Sequence, residues 1–129
     1  MTDYFISYAR KDGADFADKL HDDLEADGYD AWIDKRDILG SDYWDDAIED
    51  ALKNCEALLL VITPGSTESQ NVKDEWGYVL NKKPIIPLMV ETADIPFRAN
   101  RIQYIDFRDN YDSGIAKLRK LLKDLKKKT

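Results

Sequence analysis

Nucleophilic hydrolysis needs a base beside its nucleophile, and this sequence offers little to build one from. Its one histidine, His21, sits among acids in a segment of helical spacing, far from the ends of the apolar runs. Neither a Ser/His/Asp nor a Cys/His arrangement can form around it. The one cysteine, Cys55, closes an apolar helical face and is expected to pack there. A single thiol also excludes an intrachain disulfide and a multi-cysteine zinc site. Asp42, Asp45, Asp46, Glu49 and Asp50 are dense enough to raise a metal site. Their spacing puts them on the polar side of an amphipathic helix, and a solvated face is the simpler account. No GxGxxG follows the first strand and there is no P-loop, which argues against redox use of a dinucleotide and against phosphoryl transfer. What is left is a scatter of polar residues near the ends of apolar runs: Ser7, Tyr8 and Arg10 after the first, and Asp34 after the second.

Two periodicities alternate along the chain and define the elements that must bring such residues together. Tyr4 to Tyr8 is short and β-rich, and Phe16, Ala17, Leu20 and Leu24 then follow helical spacing. Gly28 is the expected C′ residue of that helix. Ala31-Trp32-Ile33 reads as a second strand, ending at Asp34, and a polar loop runs from Lys35 to Gly40. Ser41 or Asp42 can cap a helix whose apolar face is Trp44, Ile48, Ala51, Leu52 and Cys55. Ala57 to Ile62 is an unbroken apolar run, the pattern of a strand buried on both faces of a parallel sheet. Thr63-Pro64-Gly65-Ser66 stops it. Val72, Trp76, Val79 and Leu80 mark a third helix. Pro84 to Val90 is a fourth strand, whose prolines predict a strand start and irregular pairing, not a central ladder position. Residues 91 to 100 read as a loop. Ile102 to Phe107 alternates as an edge strand, and Ile115, Leu118, Leu121, Leu122 and Leu125 line a last helix.

This alternation predicts an α/β fold: a flavodoxin-like three-layer sandwich with a five-stranded parallel sheet, order 2-1-3-4-5, flanked by helices. Ligands of such sheets bind beyond the C-terminal strand ends where the strand order reverses. Ser7 to Arg10, Asp34 to Gly40 and the residues from Thr63 onward are therefore the ones to watch. A receiver domain on the same sheet is ruled out. It needs an acidic pair after the first strand and an aspartate after the third, where Ser7-Tyr8-Ala9-Arg10 and Thr63-Pro64-Gly65 stand.

Phe5-Ile6-Ser7-Tyr8 comes first; Trp32-Ile33-Asp34, Ile38-Leu39-Gly40 and Trp44 follow. After them come Leu60 to Pro64 with Ser69 to Glu75, and then Pro84 to Leu88. In order and spacing these stretches resemble the TIR (Toll/interleukin-1 receptor/resistance) domain family, particularly its bacterial and archaeal branch. The resemblance runs from about residue 3 to residue 107. It implies an NAD⁺ nucleosidase that releases nicotinamide and ADP-ribose or a cyclic ADP-ribose isomer, in immune or cell-death signalling, activated by self-assembly. The alternative it implies is a non-catalytic adaptor working through TIR–TIR contacts. NAD⁺ is then a substrate, and no cofactor or metal is expected.

On this resemblance Glu75 matches the family's catalytic glutamate. Cleavage of the nicotinamide–ribose bond passes through an oxocarbenium-like state, as glycoside cleavage does. Nicotinamide leaves a pyridinium as a neutral base, so no general acid is needed. One carboxylate that holds the ribose hydroxyls and faces the growing positive charge can suffice. Many catalytic relatives carry a tryptophan one helical turn earlier, where this chain has Asn71. Arg10 offers a bidentate fork to the pyrophosphate, or is a surface residue at a helix start. Ser7 and Tyr8 offer hydroxyls to a ribose or base, although Ser7 equally suits a tight strand. Asp34 resembles an acidic residue near the family's pocket. Gly40 lies in the BB loop, residues 35–43, which in the family contacts substrate and other TIR domains. Trp44 is a stacking candidate for a base, while its spacing with Ile48 and Leu52 suits the core; Trp32 suits the core as well.

The 129 residues are expected to form one domain, 1–129, with the last helix completing it. The formal charge of −7 opposes binding to nucleic acid or an anionic membrane. Lys126-Lys127-Lys128 reads as a helix end offsetting its own dipole. Met1-Thr2-Asp3-Tyr4 lacks the basic and apolar regions of a secretory leader, and no apolar run approaches the ~20 residues that span a bilayer. A cytoplasmic location is expected.

Overall fold

The computed structural model describes residues 2–33, 43–100 and 103–127, the side chains of 43–45 and 127 excepted. Strand β1 (Tyr4–Ser7) leads into α1 (Arg10–Ala26), β2 (Ala31–Ile33), α2 (Tyr43–Asn54) and β3 (Ala57–Ile62). These are followed by α3 (Gln70–Val79), β4 (Ile85–Met89), β5 (Ile105–Asp106) and α4 (Tyr111–Lys127). Short 3₁₀ turns at Gly65–Thr67 and Phe97–Ala99 precede α3 and β5. The five strands form one parallel sheet in the order β2-β1-β3-β4-β5, as expected.

Strand parity sorts the core into two halves. Tyr4, Ile6, Leu59, Val61, Ile86 and Leu88 face Ala17, Leu20 and Leu24 of α1 and Ile115, Leu118 and Leu122 of α4. The alternate residues, Phe5, Leu58, Leu60, Ile62, Ile85 and Met89, face Ile48 and Leu52 of α2 and Val72 and Val79 of α3. Every residue of β3 is buried, which is why its sequence does not alternate. By the same parity Ser7 shares the side of Phe5, toward α2 and α3.

Gly28 ends α1 at φ +93°. Its N–H donates to the Glu25 carbonyl, and the Tyr29 N–H to the Leu24 carbonyl, both at 3.0 Å. That pair of bonds is a Schellman motif, with glycine in the left-handed position. The last strand is shorter than its alternation implied, with Ile105 and Asp106 alone paired, and Ile102 lies outside the described residues.

The proline-bearing strand corrects an expectation. Irregular pairing was expected of β4, but it pairs in unbroken register with β3 from Ile85 to Met89, and Pro87 stands opposite Leu60. The Pro84 carbonyl accepts from Leu58 N–H, and the Met89 carbonyl accepts from Phe107 N–H. Even positions therefore turn to β3 and odd ones to β5. Pro87 is odd, and pairing with β5 begins only at Leu88 with Ile105. The missing N–H falls before the ladder starts. Among the described residues no helix is long and apolar enough to cross a membrane.

Candidate functional site

The strand order turns back between β1 and β3, and the residues leaving these two strands meet there. Ser7 ends β1, and its Oγ–H donates to Oε1 of Glu75 at 2.7 Å. Ser7 is fully buried and Glu75 is 2% exposed. Glu75 gets there because α3 presents Val72, Glu75 and Val79 to the sheet, positions three and four apart on one helical face. A carboxylate thus occupies a slot in an otherwise apolar stripe. Glu75 is therefore not a solvated surface acid, unlike most glutamates of so acidic a chain. Trp76, expected on the inner face, is half-buried at its edge. Burying a carboxylate is costly unless hydrogen bonds meet it, and the Ser7 hydroxyl supplies one.

A second polar cluster lies at the same end of the sheet. Asp12, in the first turn of α1, accepts from Thr63 Oγ1 at 2.6 Å through Oδ1 and from Gly65 N–H at 2.8 Å through Oδ2. The turn it grips is bonded internally. Thr63 N–H donates to Ser66 Oγ at 3.0 Å, and Ser66 Oγ–H donates to the Thr63 carbonyl at 2.7 Å. Thr63, Gly65 and Ser66 are buried. Sequence reasoning missed this cluster. It placed the residues from Thr63 onward at the ligand edge but gave them no partner, and it noted Asp12 not at all, because one more acid in a helix's first turn is unremarked in so acidic a chain.

The other candidates are distributed unevenly. Arg10 opens α1 at the same edge of the sheet, with its side chain exposed. Tyr8 is half-buried and packs with the α1-side core, across the sheet from Glu75. Asp34 and Gly40 lie outside the described residues, as does the BB loop over 35–42; Trp44 is in α2, but its side chain is not described. Asn71 is exposed one turn before Glu75. Trp32 stacks on Phe5 with ring centroids 5.1 Å apart, in keeping with its expected place in the core. His21 sits beside Asp22 and Glu25 on α1. Cys55 is buried with its thiol donating to the Leu52 carbonyl, and burial pushes that thiol's pKa up. It packs and does not react. Asp46, Glu49 and Asp50 are exposed along α2.

The family model for the TIR domain matches residues 5–122. Among solved structures the chain is similar to the TIR domain of the Toll-related receptor TRR-2 from Hydra magnipapillata. The identity is 23% and the TM-score 0.78, over 98% of this chain and 99% of that one. A metazoan TIR-STING receptor from C. gigas aligns at 24% identity and TM-score 0.64, over 88% of this chain but 39% of the receptor. The TIR domains of the activated Roq1 resistosome, which directly recognizes the pathogen effector XopQ, align at 14% identity and TM-score 0.71, over 96% and 99%. At these identities the likeness is one of fold. No curated protein matches the chain.

Proposed function

The chain belongs to the TIR domain family, and from that premise we propose that it is an NAD⁺ nucleosidase with Glu75 as its catalytic carboxylate. One observation carries the proposal. Glu75 is held by Ser7 at the C-terminal edge of the sheet, where the strand order reverses and α/β folds bind their ligands. A carboxylate fixed in a water-poor setting interacts more strongly with a developing sugar cation than one free in solvent. In this mechanism Glu75 takes hydrogen bonds from the nicotinamide ribose and steadies positive charge at the anomeric carbon as neutral nicotinamide departs. Water then completes ADP-ribose, or the adenine of the same molecule closes a cyclic isomer.

Ser7 spends its hydroxyl proton on Glu75, so its part is to orient the carboxylate. Arg10 is the proposed partner of the pyrophosphate, and Asp34, Gly40 and Trp44 complete the proposed substrate set; Tyr8, across the sheet from Glu75, drops out of it. With 2% of its surface exposed, Glu75 is reached by a ribose only once its cover shifts. Self-association through the BB loop, residues 35–43, is the proposed trigger, and cytoplasmic immune signalling the proposed setting. The assay is nicotinamide release from NAD⁺ at high protein concentration with a crowding agent. Turnover that survives Glu75→Ala would remove Glu75 from the mechanism. Asn71, standing where many catalytic relatives place a tryptophan, favours a second reading as a TIR–TIR scaffold. Self-association without turnover would select it.

A further inference from the structure

We propose that Asp12 is a positioning residue for Glu75, acting through the turn that leaves β3 and not by touching substrate. The proposal deepens the nucleosidase reading and rests on it for its kinetic half.

An unbroken hydrogen-bond path joins the two residues' elements. Asp12 accepts from the Gly65 N–H, and the Gly65 carbonyl accepts from Ser69 N–H at 3.1 Å. Ser69 is the N-cap of α3: its Oγ accepts from Val72 N–H, and its carbonyl accepts from Lys73 N–H. Glu75 lies in the next turn of that helix. At the other end, Asp12 follows Ser7 by five residues, across the tight exit from β1 into α1. It therefore ties the chain that carries the donor, Ser7, to the chain that carries the acceptor, Glu75. A carboxylate suits this position because it accepts twice, from a hydroxyl and from a backbone amide, while its charge faces the positive end of α1.

Gly65 shows how tightly the two sides meet. A Cβ built there would lie 2.5 Å from Asp12 Oδ1 and 2.9 Å from its Cγ, closer than real side chains approach. The clamp can thus be broken from either side: Asp12→Ala removes the acceptor, and Gly65→Ala forces the carboxylate away while keeping it. Asp12→Asn keeps one acceptor oxygen for Gly65 N–H and an amide that can meet the Thr63 hydroxyl.

The three variants and the wild type are compared by nicotinamide-release kinetics, well below their melting temperatures, and by amide hydrogen exchange across residues 65–75. A displaced catalytic group costs rate more than binding. Asp12→Ala and Gly65→Ala should therefore lower kcat by about 10- to 100-fold with KM changed less than about 3-fold. Asp12→Asn should recover most of the rate, and exchange in the first turn of α3 should speed up in the first two variants only. Wild-type kcat in folded Asp12→Ala protein overturns the proposal, because a clamp that only stabilises the fold would lower the melting temperature and leave kcat alone. If the wild type itself releases no nicotinamide, the nucleosidase reading fails by itself. Exchange then decides the clamp, and unchanged protection of α3 in Asp12→Ala would refute it.

Discussion

Ser7→Ala isolates the contact on which the site depends. It deletes one hydroxyl from a fully buried position and leaves Glu75, 2% exposed, without the donor that now lies 2.7 Å from Oε1. A hydrogen bond to a charged group contributes about 1.5–3 kcal/mol, and the loss is not made up by water where none reaches. In a domain of this size about 1 kcal/mol moves the melting temperature by roughly 3–5 °C, so the variant should melt about 5–15 °C lower. The carboxylate should also be less well aimed, lowering kcat for nicotinamide release by about 10- to 100-fold. A double-mutant cycle separates charge from mere contact. In a Glu75→Gln background the acceptor is neutral, and the same deletion should cost only about 0.5–1.5 kcal/mol. Calorimetry or urea unfolding of the four proteins measures this directly. Equal costs in both backgrounds would refute the charge-assisted bond, and an unchanged melting temperature would refute the contact itself.

Other perturbations test how the scaffold is built. Gly114→Ala reverses the usual helix rule: alanine normally gains about 0.5–1 kcal/mol over glycine within a helix. Here the added Cβ would sit 2.3 Å from the Phe107 ring, itself buried and edge-on to Phe16. Overpacking should cost about 1–3 kcal/mol net, and a urea midpoint that rises would show that the ring moves aside freely. Asp106 and Arg108 test the loop flanking β5. Two hydrogen bonds from the guanidinium, with a third from the Arg108 N–H, lower the Asp106 pKa from 3.8 to about 2. A lowered folded-state pKa means that the contribution is complete above about pH 4 and is lost as pH falls toward 2. The stability difference between wild type and Arg108→Gln should close over that interval in an acid titration; a gap that persists below it would contradict the pairing.

The parts of the fold that were legible are those written in hydrophobic spacing. Ala57 to Ile62 identified the central strand because burial on both faces leaves nothing to alternate, and Gly28 identified the end of α1 because the left-handed position selects glycine. Pro87 misled because the rule against proline in a ladder concerns the direction of one N–H. That direction depends on where β5 begins, and no local pattern reveals it. The site was half legible. Resemblance pointed to Glu75, but its burial follows from the rotation of α3, with Val72 and Val79 on the same face. That phase was open to reading, since Glu75 stands three residues after Val72 and four before Val79. The apparent pairing of Trp76 with Val72 and Val79 hid it. Ser7 and Asp12 acquire their partners across 68 and more than 50 residues of chain, and side-chain bonds of that span leave no trace in a single sequence.

Nicotinamide release by wild-type and Glu75→Gln protein, assembled at high concentration and compared after both are shown to be folded, tests the central claim most directly. The glutamine keeps the size of the side chain and an oxygen for Ser7 while removing the charge. Release of nicotinamide by the wild type, falling to background in Glu75→Gln, is the predicted result. Equal release by the two proteins would contradict it.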